Sequence, residues 1–132
     1  MGFLDRFSPQ LLSALRIMSG LLFMAHGTTK LFGFPPTEMF AQAPEQFTLM
    51  WFAGAIELVG GALIAIGLLT RPAAFVCSGM MAAAYFIAHA PQATFPVQNG
   101  GDAAILFCFV FLYIAAAGPG PLSVDAMLAK KK

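Results

Sequence analysis

Four apolar runs, at about 10–32, 47–69, 72–90 and 102–117, take up most of the chain, and proline or glycine punctuates every link between them. Gly33-Phe34-Pro35-Pro36 closes the first run, since paired prolines cannot continue a helix. Thr70-Arg71-Pro72 reads as a very tight turn, which makes the second and third runs antiparallel neighbours. Residues 91–101 form a polar loop with Pro96 and the turn pair Asn99-Gly100. A run of about 20 apolar residues crosses roughly 30 Å of hydrocarbon at about 1.5 Å per residue. The fourth run is the shortest, so it starts earlier or sits where the bilayer thins.

Composition decides between a membrane and a soluble core. Hydrophobic residues make up 59% of the chain and charged residues 10%, and mean hydropathy is +0.80. A soluble domain carries about 25% charged residues. The chain therefore reads as one all-α domain over 1–132, an integral membrane antiparallel four-helix bundle. A net charge of +1 argues against nucleic acid as a partner. The N-terminal basic residue and apolar run raise a cleaved signal, but Lys30 and two prolines separate that run from the small residues at 41–43, so cleavage is not expected.

The ends of the runs give finer expectations. Ser8-Pro9 suits a helix start, with Ser8 as cap. Met39 and Phe40 suit a loop resting on the membrane surface, and Trp51 an interfacial anchor. Asp102 is placed to cap the fourth run, and Ser123 a short C-terminal interfacial helix. With four spans both termini share a side. Arg6, Arg16, Arg71, Lys130, Lys131 and Lys132 then fall on it, and Lys30 alone falls opposite, which orients the termini to the cytoplasm.

Inside the first run Arg16, Gly20, Phe23, Gly27 and Lys30 recur at spacings of three and four, with His26 at the margin of the stripe. In the second run Gly54, Glu57, Gly60, Gly61 and Ile64 do the same. Small residues let two helices approach closely, and intramembrane charges need partners. A polar seam between spans one and two is the expectation, with Glu57 reached by His26 or by the arm of Arg16 or Lys30. The seam has a bland reading, pairing that stabilises the bundle. It also has a functional one, in which His26 and Glu57 exchange a proton at the edge of a quinone or lipid-head pocket. Proton or small-solute passage is a third.

Asn99 and Asp102 read first as a turn and a cap, and otherwise as a place for backbone donors beside a ligand. No HxxxH or ExxH spacing supports a metal site among His26, His89 and Glu57. Cys77 and Cys108, without a CxxC, read as small buried hydrophobes at depths differing by roughly 10 Å. No duplicated repeat appears.

The ordered set Arg16-x3-Gly20, His26-Gly27-x2-Lys30-Leu31, Glu57-x2-Gly60-Gly61, Gly67-x3-Arg71, Asn99-Gly100-Gly101-Asp102 and Gly118-Pro119-Gly120-x2-Ser123-x-Asp125 resembles the DoxX family of small bacterial membrane proteins. The resemblance implies a four-helix bundle in the bacterial inner membrane. It also implies association with other membrane subunits, as an accessory part of a quinone-linked redox or respiratory system. Candidate ligand-binding residues are then Arg16, His26, Lys30, Glu57, Asn99 and Asp102, with His26 and Glu57 the candidates for chemistry. No covalent cofactor is expected; a quinone is the candidate ligand. Related dithiol relays carry paired cysteines, which this chain lacks. The alternatives are a non-catalytic assembly or structural subunit, and a solute or proton pathway.

Overall fold

The computed structural model describes residues 2–131; Met1 of the lead-in and Lys132 of the charge argument lie outside the described residues. Those residues are helix, turn and loop without a strand. A 3-10 segment, Gly2–Phe7, runs directly into α1, Ser8–Phe32. Helix α2 spans Leu49–Ile66, and α3 spans Thr70–Ala84 and continues as a π turn, Tyr85–His89. A one-turn helix α4, Pro96–Asn99, interrupts the loop before α5, Asp102–Ala117, and α6, Val124–Ala129, closes the chain. The first three long helices are apolar and long enough to cross a membrane, whereas α5, with 16 residues, is shorter. At about 1.5 Å per residue α5 covers about 24 Å.

Several local starts differ from expectation for physical reasons. Phe7, with helical backbone angles, occupies the cap position of α1, so Ser8 lies inside the helix and caps nothing. Gly101 occupies that position on α5, and Asp102 is the first helical residue. The link between α2 and α3 is Gly67–Leu68–Leu69, not Thr70-Arg71-Pro72. Gly67 (φ 73°) closes α2 with its N–H on Leu63 O at 2.9 Å, and Leu69 (φ 49°) is left-handed. Thr70, Arg71 and Pro72 therefore form the first turn of α3, where a proline lacks no needed donor. Gly33 ends α1 (φ 67°), and Thr48 and Ser123 cap α2 and α6 by accepting from the N–H groups of Trp51 and Ala126.

Packing falls into two tight pairs, α1 with α2 and α3 with α5, joined chiefly between α2 and α3 and more lightly between α1 and α5. The first pair is close because of glycine. A Cβ on Gly20 would lie 2.5 Å from Ala65 N, one on Gly27 2.5 Å from Leu58 N, and one on Gly61 2.5 Å from Met24 N. Backbone meets backbone along this seam. In the second pair Ser78 Oγ donates to Cys108 O at 2.7 Å. Cys77 and Cys108 consequently share a level, contrary to the depth expectation: from the end where Arg71 meets Ala115 and Ala116, Cys77 is 7 residues into α3 and Cys108 is 9 residues from the end of the short α5. Cys77 faces Gly60 of α2, and both thiols are free. Between the pairs, Phe23, Phe107 and Phe111 form the aromatic centre, with Phe23 edge-on to Phe111 at 4.9 Å.

Candidate functional site

The seam's charged groups take different partners. Arg16, fully buried on α1, donates from Nη1 to Ile64 O and Ala65 O, each at 2.6 Å, from Nε to Pro119 O at 2.7 Å, and from Nη2 to Leu122 O. Gly67 N also reaches Ile64 O at 3.1 Å, but among the described residues no backbone donor serves Ala65 O, so the guanidinium fork completes that helix and grips the 118–123 segment at once. Arg16 thus turns toward the end that bears the termini, away from Glu57. Arg71 does the same for α5, donating to Ala115 O at 2.9 Å and to Ala116 O.

The same end is tied further by Asp125. Its carboxylate accepts from Leu69 N at 3.0 Å and Thr70 N at 2.9 Å, and its own N–H donates to Gly67 O at 2.8 Å. Burial alone would raise the Asp125 carboxyl. The Thr70 and Leu69 donors and the Arg16 charge outweigh it and hold the group below the ordinary aspartate value. Asp125 stands in the resembling motif, but its capping role is not readable from the sequence.

Lys30 and Glu57 do meet. Lys30 Nζ lies 2.6 Å from Glu57 Oε1. Glu57 is 2% exposed, and its Oε2 is buried with no hydrogen-bond partner. From the 33–48 connection, Phe40 lays its ring against the ammonium, 5.6 Å from Nζ to the centroid. Phe40 thus covers the pair, while Met39 is exposed.

His26 points elsewhere. One residue before Gly27 it is rotated about 100° out of the seam, to the α1/α5 edge. Its Nδ1 is 2.7 Å from Leu22 O, which only accepts, so Nδ1 carries a proton and Nε2 is left without a partner among the described residues. The imidazole is edge-on to Phe107 at 5.8 Å. It lines an apolar groove of about 360 Å³ with Ser19, Leu22, Ala103, Leu106, Phe107 and Val110.

Asn99 is buried and its amide serves the loop. Oδ1 accepts from Gly101 N at 2.9 Å, and Nδ2 donates to Ala93 O at 3.1 Å and to Tyr85 Oη at 3.3 Å. His89 donates from Nδ1 to Asn99 O at 3.0 Å and stacks on Tyr85. Asp102 is exposed at the start of α5. The structure therefore brings Lys30 to Glu57 and places Arg16, His26, Asn99 and Asp102 at four other points.

This arrangement is that of a small polytopic membrane protein with buried ion pairing between its first two spans. The DoxX family model matches residues 11–90. An uncharacterised protein of Haemophilus influenzae is 37% identical over 134 residues, covering 99% of this chain and 100% of that protein. No solved structure matches. The chain belongs to the DoxX family.

Proposed function

We propose that the chain is an accessory subunit of a quinone-linked redox or respiratory system in the bacterial inner membrane, and that the α1/α5 groove receives the ring of a quinone. The observation that carries this is His26: a polar side chain with an unpartnered ring nitrogen on the wall of a largely apolar groove, beside the flat Phe107 ring. A ring with polar oxygens and an isoprenoid tail matches that lining, whereas the seam itself is closed by backbone contact. When bound, such a ring supplies the two-electron, two-proton couple. This chain's residues hold it: Phe107 against its face and His26 Nε2 as hydrogen-bond acceptor from a hydroxyl. Electrons would pass to or from a partner subunit. The termini would face the cytoplasm, since Arg6, Arg71, Lys130 and Lys131 lie at the end where the termini meet and Lys30 is paired at the other.

Native purification in mild detergent with mass spectrometry of bound lipophilic molecules tests the reading. Quinone should accompany the wild type and be lost from His26→Ala, which exposes no core. Equal quinone in both would sink it.

A second reading, a structural or assembly subunit, is favoured by one fact. Arg16, Arg71 and Asp125 place their charge on partners within the chain, and Lys30 pairs with Glu57. Copurification of a larger complex without a bound small molecule would support it.

A further inference from the structure

Glu57 has one oxygen on Lys30 and one on nothing. Leaving an anionic oxygen buried and without a donor is costly, and a proton is the smallest species that removes the charge. The question is from where a proton reaches it.

The seam answers by its packing. At the level of Glu57, Gly27 lies against the backbone of Gly54 and Leu58; farther toward the termini, Gly20 and Gly61 close the two helices again, and the Arg16 guanidinium fills the bottom. In the other direction stands Lys30, whose side chain is 13% exposed, and above it the Phe40 ring. Between Pro35 and Glu45 no hydrogen bond joins the connection to the long helices among the described residues. The Lys30–Phe40 contact is one tie on that stretch. The titratable groups within electrostatic reach of Glu57 are Lys30 and His26 of α1, with the Cys77 thiol of α3 on its other flank.

We propose that Lys30–Glu57 is a proton-binding site with access from one face only, the face bearing the 33–48 connection, and that Phe40 is its lid. At high pH the pair is charged, Lys30 is held inward and Phe40 is seated on it. On acidification Glu57 takes up a proton, Lys30 loses its counter-charge and extends toward water, and Phe40 leaves with it. The proton returns by the same route, so the site senses that face and does not conduct across the membrane. This goes beyond the quinone reading and does not depend on it.

The test uses full-length protein in nanodiscs of phosphatidylcholine and phosphatidylglycerol, titrated with acid. Infrared difference spectra should show one protonated-carboxyl band that Glu57→Gln removes. At the same pH the emission of Trp51, the chain's single tryptophan, should shift, since it packs on Phe47 at the end of the connection. Amide exchange across residues 34–46 should rise with it. Phe40→Ala, outside the packed seam, should keep the band and hasten its appearance after a pH jump. In oriented proteoliposomes acid on the face opposite Phe40 should produce no band. The proposal is overturned if no Glu57 band appears while the protein stays folded, or if the band appears without movement of the connection. An unchanged rate in Phe40→Ala, or a response to acid on the opposite face, overturns it equally. Should Glu57→Gln fail to fold, the wild-type and Phe40→Ala measurements decide.

Discussion

Asp125 Oδ2 accepts a hydrogen bond from Thr70 N at 2.9 Å across 55 positions of sequence, so the N-terminus of α3 is capped by a residue near the end of the chain. The cap also holds Leu69 in a left-handed conformation that costs a non-glycine residue about 1–2 kcal/mol. Asp125→Ala should therefore lower stability by about 1–2 kcal/mol, the range of a lost helix cap, read as a fall in thermal midpoint in detergent. Because the folded carboxyl titrates below its ordinary value, its contribution is complete above the unfolded aspartate range, about pH 4, and is lost as pH falls through the depressed value. The wild-type and Asp125→Ala melting curves should converge only in that acid range.

Arg16 supplies four carbonyls with donors, and no side-chain acceptor shares the load. Arg16→Met should cost about 3 kcal/mol or more, since hydrogen bonds from a charged group contribute about 1.5–3 kcal/mol each. Arg16→Lys should recover less than half of that, because an ammonium cannot span the fork of positions a guanidinium reaches. Denaturation in mixed micelles measures both.

Two glycines predict opposite signs. Gly61→Ala puts a methyl 2.5 Å from Met24 N, where neither backbone can yield, so α1 and α2 should separate and expression should collapse. A Cβ on Gly79 would meet nothing within 4 Å. Gly79→Ala, mid-helix, should raise stability by about 0.5–1 kcal/mol. Thermal stability assays on the two variants give the comparison directly.

Asn99→Ala removes the acceptor for Gly101 N and the donor to Tyr85 Oη and Ala93 O. The expected loss is about 1–3 kcal/mol, with amide exchange rising first at residues 91–101. An unchanged loop would contradict the geometry.

Charge, glycine spacing and punctuation carried much of this arrangement in plain view. On paper Glu57 had three possible partners, His26, Arg16 and Lys30, because all stand on or beside three–four stripes with glycines; that Lys30 takes it was not legible. The C-terminal cap at Ser123 and the break at Gly33 followed from residue type alone. Arg16 was harder: its partners are carbonyls, which every residue has, so no side chain announces them. Asp125 finds its donors by topology across the chain, which local pattern does not encode. His26 was legible in part. Its neighbour Gly27 had to face α2, and one helical step of about 100° takes the imidazole out of the seam.

The Arg16 site also dictates a schedule. Synthesis runs from the N-terminus, and early segments organise before later ones exist. Arg16 gains Ile64 O and Ala65 O once α2 has been made, but Pro119 O and Leu122 O only when the last part of the chain emerges. Until then the guanidinium is half-served and α3 lacks Asp125. The final residues behave as a fastener applied after assembly, and a chain stopped after Ala117 would have all of its long helices but neither the outer half of the Arg16 site nor the cap on α3.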